Sequence, residues 1–371
     1  MKKVLLVATV QSHIYQFHKP LAKMLHENGY EVEVAARDNL SEKDGAKLDF
    51  VEKVYDVCFS RNPFSLKNIK AHKQLKKIAL ENKYDFIHCN TPSAGVITRL
   101  LPKKLRKKGT VIIYTAHGFH FYKGSSKKNW IMYYPVEKML ARRTDKLITI
   151  TTEDCNLANN KFKTNVYFTH GVGVNNKRFY KITKDEIIET RNKLNLPVDK
   201  KVILCVGELN NNKNQISVLR CIKELKDKYN DLCLIIAGNG ANDEMLKTYV
   251  NENGLNDIVI FLGYKKNIEE YTRCCDIVVS ASYREGLPLN IVEGMMCAKT
   301  IVASNNRGHR ELIENGVNGY IFELNNPESL YNALKKSFVL NEEIINNAYN
   351  KSKQYDFESV EKELSNVYFG K

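Results

Sequence analysis

The sequence predicts an α/β protein built from two Rossmann-like, doubly wound domains that face a common cleft. Short apolar runs rich in β-branched residues alternate with longer segments of helical period in both halves of the chain. Such runs are typical of parallel strands that are buried on both faces and joined by helices. The length of 371 residues exceeds one ordinary core and suits two domains.

The first half contains six predicted strands separated by helical segments. They lie at residues 3–9, 30–36, 50–58, 84–89, 110–116 and 145–150. The first run stops at Gln11 with no small-residue cleavage site, so we expect a buried strand rather than a signal peptide. A polar, turn-rich passage at 169–179 interrupts the pattern and predicts the domain boundary near residue 175.

The alternation restarts after a charged helical segment that ends at Leu196-Pro197. Strands are predicted at 201–207, 232–237, 257–262, 275–281, 299–304 and 319–323. Helices are predicted at 214–228, 241–253, 267–274, 288–298 and 308–315, then at 327–338, 341–354 and 357–369. We therefore expect domains at 1–175 and 176–356, followed by a terminal helix at 357–371.

The net charge of +15 is concentrated in the first half of the chain. Residues 1–180 carry 32 basic and 15 acidic side chains, and residues 59–128 alone carry 16 and 2. This asymmetry predicts an anionic partner for the first domain: nucleic acid, an anionic membrane or a phosphorylated substrate.

Two segments favour the membrane among these partners. In 64–78 we expect Leu66, Ile69 and Ile78 to face a core while lysines point outward, and 119–134 mixes aromatic residues with lysines. No apolar run approaches the length needed to span a bilayer. Nine scattered cysteines without a C-x-x-C pair indicate reduced thiols and neither disulfides nor a zinc site. We expect a soluble, cytoplasmic protein that is peripheral on the inner face of the membrane.

The most informative motif is Glu285-Gly-Leu-Pro-Leu-Asn-Ile-Val-Glu293, placed after a predicted strand. Pro288 suits the first turn of the following helix, where a missing N–H is harmless. The amides of Gly286, Leu287 and Leu289 and the helix dipole then favour a phosphate. The two carboxylates would repel a phosphate, so they suit hydroxyl groups on either side of it.

This stretch resembles the retaining, nucleotide-sugar-dependent glycosyltransferases of family four, which have the GT-B fold and carry Glu-x7-Glu at this place. The resemblance covers the second domain and, more weakly, the first. It implies that Glu285 binds hydroxyls of the donor sugar and that Glu293 binds the ribose diol. It also implies that the amides of residues 287–289 hold the diphosphate, and that the terminal helix crosses back onto the first domain.

Three further pieces resemble donor-binding segments of the family. Val206-Gly207-Glu208-Leu209-Asn-Asn-Asn-Lys213 matches Gly-Arg-Leu-x-x-x-Lys, except that Glu208 replaces the arginine. Lys213 is therefore the residue we expect to neutralise the diphosphate, and Arg307, which precedes another helix, could supply the missing positive charge. Gly263-Tyr264 resembles the loop that holds the base through its backbone.

Histidines in the first half are the remaining candidates. His117 follows the fifth strand, where the family places a histidine against the donor sugar, so we expect a catalytic role for it alongside Glu285. His13, in the loop expected after the first strand, and His18 are weaker candidates for acceptor contacts.

The resemblance implies retaining transfer of a sugar from a nucleoside diphosphate sugar, expected to be a UDP-sugar, to a hydroxyl. Together with the basic first half, it suggests a polyprenyl-diphosphate-linked saccharide as acceptor in surface polysaccharide synthesis. No Asp-x-Asp occurs, so we expect neither metal nor cofactor. A nucleotide-sugar 2-epimerase on the same fold and a basic nucleic-acid-binding protein are the alternatives. A dinucleotide-dependent dehydrogenase is disfavoured because no G-x-G-x-x-G follows a first strand, and no nucleic-acid-binding motif is recognisable.

Overall fold

The computed structural model describes residues 2–42, 46–62 and 65–370, which form two compact units. The first unit comprises the chain up to Gly173 together with the segment from Phe357 onward, and the second comprises Val174–Asp356. Each unit contains one parallel sheet with helices on it, so the predicted fold class of two Rossmann-like domains is confirmed.

The sheet of the first unit has seven strands in the order β3-β2-β1-β4-β5-β6-β7. They are β1 (Lys2–Val10), β2 (Tyr30–Arg37), β3 (Lys53–Asp56), β4 (Phe86–Cys89), β5 (Val111–Ala116), β6 (Lys146–Thr149) and β7 (Asn165–Phe168). The prediction of six strands missed β7, a short edge strand whose side chains are at best half-buried. An edge strand with so little burial lacks the continuous apolar run on which the prediction relied.

In the described part of the first unit, seven helices precede the domain boundary. They are α1 (Gln11–Phe17), α2 (Lys19–Glu27), α3 (Lys67–Glu81), α4 (Pro92–Arg99), α5 (Lys104–Lys107), α6 (Lys127–Ala141) and α7 (Thr152–Lys161). The loop expected at Gln11-Ser12-His13 is wrong, since these residues begin α1. Asn39 holds this helix start: its Oδ1 accepts the Ser12 backbone N–H at 3.0 Å and its Nδ2 donates to Ser12 Oγ at 2.9 Å.

The basic helices bury different side chains from those expected. Leu66 is 80% exposed and Ile69 57% exposed, so the prediction that they face a core is wrong, whereas Ile78 does pack against the core. Helix α3 instead buries Ala71, Leu75 and Ala79. Small alanine side chains let α3 lie close to its neighbour α4, and Leu66 and Ile69 fall outside this contact. Phe64, the start of the predicted basic segment, lies outside the described residues.

The aromatic residues of 119–134 also lie deeper than a membrane-facing segment would require. Phe119 and Phe121 are buried and stack with ring centroids 4.9 Å apart. Trp130 and Tyr134 pack partly buried against the same core. The most exposed apolar residues of α6 are Ile131, at 75%, and Met139, at 55%.

The sheet of the second unit has six parallel strands in the order β10-β9-β8-β11-β12-β13. They are β8 (Lys201–Val206), β9 (Leu232–Ala237), β10 (Val259–Gly263), β11 (Ile277–Ser280), β12 (Thr300–Ser304) and β13 (Tyr320–Phe322). The chain runs outward from β8 to β10 and returns to β11 on the other side of β8. The gap between β8 and β11 is therefore the switch point where an open parallel sheet binds ligands.

The helices of the second unit follow the predicted segments closely. They are α8 (Lys184–Lys193), α9 (Gln215–Lys226), α10 (Asp243–Glu252), α11 (Ile268–Cys274), α12 (Leu289–Met296), α13 (Arg307–Leu312), α14 (Pro327–Ser337) and α15 (Glu342–Ser352). Within the described ranges, no helix combines the length and the apolar character needed to cross a bilayer.

The terminal helix α16 (Phe357–Phe369) belongs to the first unit. Its Tyr368 hydroxyl lies 2.6 Å from Nδ1 of His88, and the Tyr368 ring packs edge-on against Phe86 at 5.0 Å. Nζ of Lys146 donates to the Val367 carbonyl. These buried contacts fix the end of the chain on the first sheet.

Candidate active site

The donor-side candidates lie at the carboxyl edge of the second sheet. Lys213 follows β8, Tyr264 follows β10, Glu285 follows β11, and Arg307 opens α13 after β12. Because all strands of the sheet are parallel, the loops after them emerge at the same edge. The fold thus brings together segments that are up to about 100 residues apart in the sequence.

Lys213 and Glu285 meet at the switch point. Nζ of Lys213 lies 2.6 Å from Oε1 of Glu285, and the two side chains are 24% and 14% exposed. The Asn210 side chain accepts the Lys213 backbone N–H at 3.0 Å. A partly buried ion pair at this place offers one cation to an incoming phosphate and one carboxylate to hydroxyl groups.

Asparagines after β8 fix the loop that carries Glu285. The Asn212 carbonyl accepts the Tyr283 N–H at 2.8 Å, and Asn212 Nδ2 donates to the Arg284 carbonyl at 3.0 Å. Asn214 Nδ2 donates to the Ala281 carbonyl at 3.3 Å. Asn212 and Asn214, on either side of Lys213, therefore order the Glu285 loop, a role that spacing alone did not reveal.

A buried polar network supports the same loop from the other side. Ser304 Oγ and Asn306 Nδ2 both donate to the Ser282 carbonyl, at 2.7 and 2.8 Å. His309 Nδ1 lies 2.7 Å from the Ser304 carbonyl, and its Nε2 lies 3.1 Å from Ser280 Oγ. Burial lowers the pKa of His309 to about 4, so the ring is neutral at physiological pH. Sequence reasoning missed this network because its members come from two strands and a helix start.

Gly308 lies directly beneath the Glu285 loop. A Cβ atom at this position would lie 2.5 Å from the Gly286 carbonyl oxygen and 2.8 Å from Cβ of Glu285. Backbone atoms cannot yield as a flexible side chain can. We therefore expect Gly308→Ala to lower the free energy of unfolding by about 1–3 kcal/mol and to displace the loop. Urea unfolding checks this, with Gly319→Ala as the milder control because its nearest neighbours, an Ile313 side-chain atom at 3.0 Å and the Ile301 carbonyl oxygen at 3.1 Å, lie farther away. Equal stability of Gly308→Ala and wild type would contradict the expectation.

Helix α12 begins beside Glu285 and carries Glu293. Pro288 is the N-cap residue with extended backbone, not a member of the first helical turn as expected. The helix still starts at the sheet edge, so its first N–H groups have no partner within the helix. Burial raises the pKa of Glu293 to about 7; the nearby Arg178 opposes this shift, and Glu269 adds to it. Arg178 itself forms an ion pair with Glu269 at 2.6 Å.

The other donor-side candidates occupy distinct environments. Tyr264 is 58% exposed and follows Gly263, whose φ of 64° favours glycine. Arg307 is buried at the start of α13. Gly207 lies against the aliphatic part of the Lys213 side chain. A Cβ atom on Gly207 would lie 3.3 Å from Cδ and Cε of Lys213. Glu208 is exposed, and its backbone carbonyl accepts a hydrogen bond from Gln215.

The first unit gathers the three candidate histidines into one cluster. The His13 ring centroid lies 5.2 Å from that of His18 and 5.3 Å from that of His117. Burial lowers the pKa of His13 to about 3 and that of His117 to about 4, and it lowers the pKa of His18 well below its usual range. At neutral pH these rings are uncharged, so they can offer a lone pair or an N–H but not a positive charge.

Comparison with known proteins supplies the family context. Residues 186–355 match the family described as glycosyl transferases group 1, and residues 3–151 match the family described as glycosyl transferase 4-like. EpsD of Bacillus subtilis is 39% identical over 325 residues, which cover 87% of this chain and 84% of EpsD.

Two further similarities differ in what they show. An Escherichia coli protein named UDP-Gal:alpha-D-GlcNAc-diphosphoundecaprenol alpha-1,3-galactosyltransferase is 26% identical over 305 residues, which cover 80% of this chain and 77% of that protein. The crystal structure of Anabaena Alr3699/HepE in complex with UDP superposes with a TM-score of 0.77 at 20% identity, with both chains covered completely. At that identity, the superposition supports the fold.

Proposed function

Because this chain belongs to the family-four glycosyltransferases with two Rossmann-like domains, we propose that it moves a sugar from a UDP-sugar to a lipid-linked saccharide with retention of configuration. The acceptor we propose is a hydroxyl of a polyprenyl-diphosphate-linked saccharide in surface polysaccharide synthesis. The E. coli relative named above supports this choice, since its name specifies a UDP-sugar donor and a diphosphoundecaprenol-linked acceptor. Neither the 2-epimerase nor the nucleic-acid-binding alternative gains support from these matches.

The observation that carries the donor assignment is the Lys213–Glu285 pair at the switch point, beside the start of α12. A diphosphate needs positive charge and N–H donors, which Lys213 and the helix N-terminus supply. A sugar needs hydroxyl acceptors, which the Glu285 carboxylate supplies. The same edge of the second sheet thus offers groups that can bind the diphosphate and groups that can bind the sugar.

The proposed reaction breaks the bond between the anomeric carbon and the diphosphate oxygen. A bond forms on the same face between that carbon and the acceptor oxygen, and the acceptor proton passes to the departing phosphate. Lys213 and the α12 N–H groups stabilise the negative charge that develops on the leaving group. We expect this charge stabilisation to suffice without a divalent cation, so that transfer continues in a chelator.

Glu293 gives donor binding a defined pH dependence. Its carboxyl is half ionised near pH 7, and only the ionised form accepts hydrogen bonds from both hydroxyls of a ribose diol. We expect the affinity for uridine, which has the ribose diol but no titrating phosphate, to rise as the pH increases through about 7 and to be independent of pH in Glu293→Gln. Isothermal titration calorimetry between pH 5.5 and 8.5 measures this, and the same rise in both proteins would contradict it.

The same carboxyl has an opposite effect on stability. Its pKa is higher in the folded protein, about 7, than the ordinary 4.5, so the folded state binds the proton more tightly. The contribution of Glu293 to stability is therefore greatest at low pH and declines as the pH rises from about 4.5 to 7. Glu293→Gln lacks this decline. The effect of Glu293 on stability can therefore be separated from its effect on ligand binding by measuring the melting temperature and the ligand affinity of both proteins over the same pH range.

A cationic face of the first unit supports the membrane part of the proposal. We use this name for the exposed side chains of α3 and α6, which both border α4. The face contains Leu66, Ile69, Ile131 and Met139 together with Lys67, Lys70, Lys73, Lys76, Lys77, Lys127, Lys128 and Lys138. Arg99 of α4 joins the helices through two hydrogen bonds to Glu137 of α6, at 2.7 and 3.0 Å. Exposed aliphatic residues surrounded by lysines suit an anionic headgroup layer.

We expect the protein to bind anionic liposomes in a salt-sensitive manner. Each lysine near such a surface contributes about 1 kcal/mol at low salt. Leu66→Glu/Ile131→Glu should weaken sedimentation with phosphatidylglycerol vesicles at least tenfold. Val339→Glu is the matched control, since Val339 is equally exposed but belongs to the second unit. No binding of wild type at low salt would contradict this part of the proposal.

A thermal-shift screen tests the proposed function directly. A true donor stabilises the folded protein by mass action, so one UDP-sugar should raise the melting temperature more than UDP-sugars that differ in a single hydroxyl or amide. Product analysis with and without a polyprenyl-diphosphate saccharide then separates transfer from epimerisation. A stereoisomeric nucleotide sugar formed without acceptor would contradict the proposal.

A further inference from the structure

The three-histidine cluster of the first unit has the composition of a metal site. One ring nitrogen from each of His13, His18 and His117 lies within 4.8 Å of the others. Nε2 of each ring is buried without a hydrogen-bond partner among the described residues. Buried polar atoms normally have partners, so three neighbouring exceptions point to a missing ligand.

The space beside the cluster is small, and a few polar side chains interrupt its mostly apolar lining. A cavity of about 20 Å³ has His18, His117, Asn90 and Thr169 among its lining residues, together with apolar side chains of α1, α2 and α16. Asn90 Oδ1 and Thr169 Oγ1 are also buried, and no described residue hydrogen-bonds to them. This volume accommodates a water molecule or an ion with one water, whereas a pyranose ring needs several times more.

We propose that His13, His18 and His117 bind one Zn²⁺-class transition-metal ion through their ring nitrogens. Three imidazoles with one open position form a tetrahedral zinc site of the kind that keeps a water in the fourth position. Ligands at 2.0–2.1 Å from zinc lie roughly 3.4 Å apart, so no pair of ring nitrogens needs to close by more than about 1.4 Å. Asn90 and Thr169 would hydrogen-bond to the bound water, which gives their unpartnered oxygens a role.

The position of the three ligands in the fold favours a preformed site. His13 lies in α1, His18 directly follows this helix, and His117 directly follows β5. Asn39 fixes the start of α1 through two buried hydrogen bonds, and β5 lies inside the sheet between β4 and β6. The ligands therefore sit on packed elements, and only ring rotations and small shifts are needed to close on an ion.

Occupation of this site would affect transfer, a consequence that rests on the proposed function. The family resemblance assigns His117 to the donor sugar, and a ring nitrogen bound to a metal cannot also bind a hydroxyl. We expect micromolar Zn²⁺ to inhibit transfer and a chelator to restore it. Metal binding itself does not depend on transfer, so the binding experiment remains decisive if the activity proves different.

Cobalt binding tests the site on the untagged full chain. After dialysis against chelator, Co²⁺ should bind in a ratio of one per chain and give the intense visible absorption of a tetrahedral site. Zn²⁺ should displace it, as expected from their relative affinities. Substitution of one ligand, as in His13→Gln or His117→Gln, should weaken binding at least tenfold. His26→Gln, at a partly exposed histidine outside the cluster, should leave it unchanged.

The outcomes separate the metal from a simpler occupant. Weak or unsaturable binding, an octahedral spectrum, or equal binding by the wild type and both ligand variants would show that the cavity holds water only and would overturn the proposal. His18 is the most buried ligand, so its variants could unfold. The partly exposed His13 and His117 supply the decisive variants, with circular dichroism confirming that each is folded.

Discussion

Replacing Glu285 by alanine is expected to lower the rate of sugar transfer by roughly 10³-fold while the protein remains folded. The carboxylate lies at the switch point of the second sheet, and its loop is fixed by Asn212 and Asn214 on one side and by Ser304 and Asn306 on the other. A preorganised charged group of this kind contributes 10²–10³ or more to a rate when it acts on the transition state. The loop does not depend on the Glu285 side chain for these hydrogen bonds, so the fold should tolerate its removal.

Steady-state kinetics with the donor identified by thermal shift would measure this effect. Glu285→Gln tests whether the charge or only a hydrogen-bond acceptor is needed, and we expect it to remain strongly impaired. Glu252→Ala removes an exposed carboxylate at the end of α10 and serves as the matched control. A Glu285→Ala protein that retains more than a tenth of wild-type kcat would remove Glu285 from the reaction.

The fold and the location of the donor-side candidates at the sheet edge were predictable from the sequence because both depend on local patterns. Buried parallel strands are continuous apolar runs, and the loops after such strands gather at one edge of the sheet. Lys213, Glu285 and Glu293 could therefore be placed from their positions after predicted strands. The short edge strand β7 has no such run, which explains why it was missed.

The remaining differences arise from tertiary packing. Gln11-Ser12-His13 has the composition of a loop, but Asn39 fixes it as a helix start from 27 residues away. Leu66 and Ile69 have the spacing of core residues, yet the small Ala71 and Ala79 form the contact face. The His309 network and the three-histidine cluster join residues from separate elements, and no local spacing identifies such groups.

Replacing Lys213 by methionine is expected to lower kcat by roughly 10²-fold and to weaken UDP binding about tenfold. Its ammonium group is the cation placed at the switch point, and methionine keeps the packing of the stem against Gly207 while removing the charge. Uridine has no phosphate, so its affinity should not change. Lys223→Ala, at an exposed lysine of α9, is the control. Equal losses for UDP and uridine would indicate a structural effect rather than phosphate binding.

The ion pair makes the two substitutions act in opposite directions on UDP. In the structure Lys213 contacts Glu285 at 2.6 Å, so a diphosphate must compete with this carboxylate for the ammonium group. Glu285→Ala releases Lys213 for the phosphate, so UDP should bind several-fold more tightly although transfer is lost. Lys213→Met should weaken UDP binding. In the double variant no ammonium group remains to pair with Glu285, so its affinity for UDP should equal that of Lys213→Met. Calorimetry of the four proteins with UDP measures this cycle, and additive effects would show that the pair does not control access to the diphosphate.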